Sequence, residues 1–187
     1  MTNKNQRSQL IDQMHQLEQM GLDCSRCSGT CCTFEANSMM ITPLEAFEIL
    51  VYLNDKNLLQ DDLKEELKKN RDYYRLDQIS GNGKKSFLRR TYTCPFFLRS
   101  EFGCPLPKEV KPYGCLAFNS HHSEKKASEH CFSEREILEA IDVQFPEIKV
   151  KNEIISNHLN LNWKKQPIPV ALLELWDQLE LISKILN

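Results

Sequence analysis

The chain has 187 residues with 24 Lys and Arg against 26 Asp and Glu, a formal net charge of −2 that speaks against general nucleic-acid binding, which wants a basic surface. At roughly 150 residues per domain the length allows one domain and hardly two, and 41% apolar with 27% charged residues is ordinary globular usage that argues against wholesale disorder. Six glycines leave little room for Gly-rich phosphate loops, whereas eight cysteines are unusual for this size.

Along the chain, Leu10, Ile11, Met14, Leu17 and Met20 form one stripe of a helix over 5–20, stopped by Gly21. A cysteine-dense loop follows at 24–32, then a short strand within 37–41. Thr42, Pro43 and Glu45 read as cap, first helical residue and capping-box partner of a helix that buries Leu44, Phe47, Leu50 and Val51, or a neighbouring set of that face. A charged helix over 61–76 turns Leu63, Leu67 and Tyr74 inward, and its Asp61, Asp62, Glu65, Glu66, Lys68 and Lys69 make a solvated face with helical ion pairs. Gly81, Asn82 and Gly83 mark a turn. Alternation and β-branched content predict a strand over 87–93 and a second hairpin arm near 102–106. Ser133 and Glu136 form another capping box, opening a helix through about 143; Pro146 starts or interrupts the next helical stretch, to 158. The last helix covers about 169–186, with Leu172, Leu173, Trp176, Leu179 and Ile182 on its core face. The fold class is α+β, mainly α: a small single domain with a short β-hairpin and flanking helices.

Residues 1–21 are polar and lack the apolar run of a signal peptide. The apolar 168–186 stretch is interrupted by Glu174, Asp177, Glu180 and Lys184, so no membrane span is expected. A cytoplasmic location follows as the expectation, and there structural disulfides are rare. The cysteines are therefore read as metal ligands or redox thiols.

They fall into two groups: Cys24, Cys27, Cys31 and Cys32 in CSRCSGTCC, then Cys94, Cys104, Cys115 and Cys131. The two-residue gap between Cys24 and Cys27 lets two thiolates bite one metal from a tight knuckle. The second group is too widely spaced for a knuckle, so each member arrives from a different turn, which suits a site completed by tertiary folding. Neighbouring side chains on extended backbone point to opposite faces; for Cys31 and Cys32 this predicts that one ligates while the other packs, or that they face different metals. Arg26, Arg89, Arg90, Arg99, Lys108 and Lys111 lie near the cysteines in sequence and could offset the charge of clustered thiolates. His121, His122 and His130 are additional candidate ligands, although HHSEKKASEH also reads as a solvated loop. Phe96, Phe97, Phe102 and Phe118 could shield the thiolates, with ordinary packing as the commoner reason for such residues.

The loop from Cys24 to Cys32 resembles the opening motif of the YkgJ-type cysteine-cluster family, described as zinc- or iron-chelating, with three residues before the double cysteine where the family usually has two. ITPLEA from Ile41 is similar to the threonine-capped helix that follows there. CPFF from Cys94, GCPL around Cys104 and KPYGCLAF from Lys111 resemble its later cysteine elements, Lys111 standing where arginine is usual, and Cys131 resembles a later cysteine of many members. The resemblance covers roughly 21–131. It implies a bacterial cytosolic protein that binds zinc or iron, the latter including a 4Fe–4S cluster, through Cys24, Cys27, Cys31, Cys32, Cys94, Cys104, Cys115 and Cys131. The organisation expected is one domain over 1–187: a cysteine-cluster metal-binding core at 21–131, an N-terminal helix at 5–20 and C-terminal helices at 133–187. The family also includes flagellin lysine N-methylases, which implies an alternative, a protein-modifying enzyme acting on a protein substrate with the cluster as part of its site; no Gly-rich loop for S-adenosylmethionine accompanies it.

Overall fold

Thr42 has extended backbone, and its hydroxyl accepts the N–H of Glu45 while the Glu45 carboxylate accepts the N–H of Thr42, closing the capping box that the sequence predicts. Pro43 then occupies the first helical position, where its missing N–H is no loss. In the computed structural model, which describes residues 6–21, 30–78, 90–98, 103–119, 132–133 and 146–186, this helix runs Pro43–Asp55. In chain order the described elements are α1 (Gln6–Gln19), a 3-10 turn (Thr30–Cys32), β1 (Met40–Ile41), α2 (Pro43–Asp55), α3 (Asp61–Tyr74), α4 (Tyr113–Leu116), β2 (Phe118–Asn119), β3 (Phe132–Ser133), α5 (Pro146–His158), β4 (Gln166–Pro167), α6 (Ile168–Leu175), a second 3-10 turn (Trp176–Gln178) and α7 (Leu179–Leu186). The protein is α+β and mainly helical. None of the described helices is long and apolar enough to cross a membrane.

The main core lies among α2, α3, α5, α6 and α7, with α6 packed on both α2 and α3. Leu44, Ile49, Leu50 and Leu53 of α2 meet Leu67 of α3, Ile155 of α5, Leu172 and Leu175 of α6 and Ile182 of α7. The buried stripe of α2 is thus rotated from the Phe47 and Val51 side, both of which are half-buried. Asn152 of α5 accepts the N–H of Leu44 at 2.9 Å and so caps the first turn of α2 from another helix. Two short antiparallel pairs complete the frame: β1 with β4, Met40 opposite Pro167, and β2 with β3, Phe118 opposite Ser133. Leu10 and Met14 of α1 bury instead against Leu116 and Ala117, a second and separate cluster.

Three expectations change. The last helix is not continuous: a 3-10 turn at Trp176–Gln178 separates α6 from α7, where Lys64 of α3 lies 5.5 Å from the Trp176 ring and pairs with Asp177 at 3.1 Å. The strand over 87–93 is not seen over its described part, 90–93, because Tyr92 is swallowed by the core and its N–H turns to Asn37 O. The expected hairpin there reduces to one antiparallel bridge, Leu98 with Gly103, as Pro95, Pro105 and Pro107 have no N–H to donate. Ser133 belongs to β3, and the helix expected to follow it, like the turn at 81–83, lies outside the described residues.

Candidate metal centre

Cys94 and Cys104 sit in matching local sequences, Cys94-Pro95-Phe96 and Cys104-Pro105-Leu106. In each, proline removes the first following donor, and the next N–H, of Phe96 or Leu106, favours the thiolate over the thiol. The bridge between Leu98 and Gly103 brings the two arms back together. Cys94 N–H donates to Cys32 O at 2.7 Å, which ties the second cysteine group to the first. Cys115 arrives on α4, whose first turn closes through Pro112 O accepting the N–H of Cys115 at 2.9 Å.

Cys31 and Cys32 do not lie on extended backbone. They occupy a 3-10 turn, and their Sγ atoms stand 4.0 Å apart rather than on opposite faces. For comparison, two thiolates on one tetrahedral zinc with bonds of about 2.3 Å are separated by roughly 3.8 Å.

Cys94, Cys104 and Cys115 each keep some residue exposure, yet burial of the sulfur is the largest influence on all three and pushes their thiols up. At Cys94 the next influence is the charge of Cys104, followed more weakly by Cys32. At Cys115 it is Cys94, Cys104 and Cys32 in turn. Charge on one of these sulfurs thus disfavours charge on its neighbours. Lys111 opposes that repulsion at all three sites. Among the other cations near the cysteines in sequence, Arg90 donates to the carbonyls of Arg75 and Tyr74, and Lys108 pairs with Glu18 at 2.6 Å. Arg26, Arg89 and Arg99 lie outside the described residues, as do Cys24, Cys27, Cys131, His121, His122 and His130. Among the described residues, no three His, Cys, Asp or Glu side chains close to the spacing of a metal site.

Tyr92, two residues before Cys94, is fully buried beside these thiols. Burial, then the charge of Cys94, holds its phenol well above the usual value. Its hydroxyl donates to Met39 O at 2.5 Å and accepts from the N–H of Ile168 at 3.1 Å, linking the segment that carries Cys94 to β1 and α6. Phe96 is buried, while Phe97 is half-buried.

The Cys115 segment is held from behind by charges. Glu45 accepts the N–H of Tyr113 at 2.9 Å with the oxygen its capping box leaves spare. Arg7 of α1 donates to Lys111 O and to Glu48, and its guanidinium carbon lies 4.4 Å from the Tyr113 ring centroid. Sequence reasoning missed Tyr92, Arg7 and this second role of Glu45. The repeated Cys-Pro step and the tyrosine two residues ahead of Cys94 were the available signals; nothing in sequence pairs Arg7 with residue 111.

No family model matches the chain, and neither a curated protein nor a solved structure shows significant similarity to it.

Proposed function

We propose that the protein is a metal-binding cysteine-cluster protein in which thiolates from the two sequence groups hold zinc or an iron–sulfur centre. The observation that carries this reading is that Cys94 N–H is tied to Cys32 O at 2.7 Å, and that Cys32, Cys94, Cys104 and Cys115 lie near enough for charge on one sulfur to disfavour charge on another. Thiols so placed are poor acids on their own, and a metal cation reverses the balance, because each thiolate then gains an attractive neighbour in place of a repulsive one. The N–H donors from Phe96 and Leu106 and the Lys111 ammonium support the same charge state. The 4.0 Å separation of Cys31 and Cys32 suits neighbouring positions on one metal. Cys24, Cys27 and Cys131 complete the proposed ligand set from outside the described residues, and the resemblance to the YkgJ-type family points the same way.

A four-thiolate zinc leaves no coordination position open to water and supplies structure or metal storage, whereas an iron–sulfur centre supplies electron transfer. Elemental analysis with an absorption spectrum, on protein purified without oxygen, tests the proposal. Near-stoichiometric zinc without colour, or iron with acid-labile sulfide and absorption at about 400 nm, is the expected outcome. Trace metal, with no uptake from added zinc or iron and sulfide, overturns it.

A further inference from the structure

α1 belongs to the Cys115 segment more than to the rest of the fold. Leu10 is fully buried and Met14 nearly so, and their partners Leu116 and Ala117 form with them a cluster separate from the main core. Ile11 and Tyr113 pack at its margin. The polar ties repeat the pattern: Arg7 reaches Lys111 O and the Tyr113 ring, and Glu18 with His15 meets Lys108. Almost the whole platform therefore lies within 108–117, the stretch that carries Cys115; the exception is Glu48 on α2, which Arg7 also grips.

Both partners are short. A helix of 14 residues is at the margin of stability in water, and α1 has no acidic side chain in its first turn and no basic one in its last to offset its dipole. α4 is a single turn of four residues that starts just after Pro112. It is held by the Glu45 cap, by α1 and by whatever fixes Cys115. At its other end α1 closes at Gly21, with φ +80°, and Cys24 follows three residues later in sequence. α1 thus leads into the first cysteine group while docked on the last.

We infer that α1 is a latch whose closure depends on metal at the thiol site: with metal, Cys115 is pinned and α1 docks; without it, the platform loosens and α1 is released. Release exposes Leu10, Ile11, Met14 and Leu116, an apolar surface that reports the metal-free state. Arg7 acts here as a positioning residue, through Lys111 O and Tyr113. The inference rests on the metal-binding reading.

Hydrogen exchange by mass spectrometry on the full chain, as purified without oxygen and after metal removal with EDTA, tests it. Amides of α1 should exchange at least about tenfold faster once metal is removed, while those of α6 keep their protection. By reciprocity, Arg7→Ala should weaken metal affinity about tenfold in equilibrium competition with EDTA, and Arg7→Lys should recover part of that change. If metal is present and its removal leaves α1 exchange unchanged, the latch falls and the metal reading stands. Equal loss of protection in α1 and α6 also overturns it, since the whole fold then opens together. If no metal is bound, the reading fails and takes the latch with it.

Discussion

Glu45 accepts the backbone N–H of Tyr113 at 2.9 Å across 68 residues of sequence, and its other carboxylate oxygen caps Thr42. One buried side chain thereby satisfies the first turns of two helices, α2 in the core and α4 at the thiol site. Glu45→Ala removes both acceptors and should lower unfolding free energy by roughly 2–3 kcal/mol. Glu45→Gln keeps one acceptor oxygen and should lose less than the alanine variant. Urea unfolding measures both; an alanine variant as stable as the parent would sink the double-cap account.

Gly114 is required by close approach rather than by its backbone angles. A Cβ placed there would lie 2.6 Å from Met39 Sδ and 3.0 Å from its Cε. Met39 is flexible, so Gly114→Ala should cost about 1–3 kcal/mol through overpacking rather than abolish folding. Adding Met39→Ala should relieve most of that cost. A double-mutant cycle with no coupling between the two positions would show that the contact does not matter.

Tyr92→Phe keeps the buried ring and removes one oxygen. Met39 O then loses its donor and the N–H of Ile168 its acceptor, both in the interior between β1 and α6. A buried group left unsatisfied costs about 1–3 kcal/mol, so a loss of roughly 2–4 kcal/mol is expected from chemical denaturation. A loss below about 0.5 kcal/mol would mean that those backbone groups find other partners.

Glu48 supplies a pH dependence with a definite sign. Burial, its largest influence, raises its carboxyl above the ordinary 4.5, and the charge of Glu45 adds to this. Arg7 and Lys151 oppose the rise without cancelling it, and Tyr113 in turn feels the Glu48 charge. The protonated form is therefore the one the fold prefers. Its contribution is complete below the ordinary carboxylate value and lost as pH rises through the raised one. Glu48→Gln has no such loss, so its melting temperature relative to the parent should climb between pH 4 and pH 7. A difference that falls over that range would reverse the assignment.

Legibility in the sequence followed how local each determinant was. The α2 start was readable because Thr42, Pro43 and Glu45 settle it within four residues. The α1 stripe was readable too, but not its destination, since Leu116 and Lys111 are a hundred residues away. The Cys31–Cys32 geometry depended on a 3-10 turn that no residue in the motif announces. Alternation around Tyr92 looked like a strand because a single buried tyrosine between polar neighbours has the same pattern as a pleated edge. The thiols themselves were visible as a set; that Lys111, rather than Lys108 or Arg90, faces them is a product of tertiary packing.

If the convergent thiols bind metal, their replacement should be expressed through metal and not through packing. Cys32→Ser, Cys94→Ser, Cys104→Ser and Cys115→Ser each keep nearly the same volume and remove a ligand. With free metal a few hundred times above its dissociation constant, a bound ion stabilises by about 3 kcal/mol or more. For a chain of this size that is roughly 6–12 °C in melting temperature. Each variant should lose that increment and fall below half the parent's metal content. After metal removal, parent and variants should melt together, because the remaining difference is one oxygen for one sulfur. A gap that persists undiminished without metal would assign these cysteines to packing alone, and the centre would have to be sought among the other thiols.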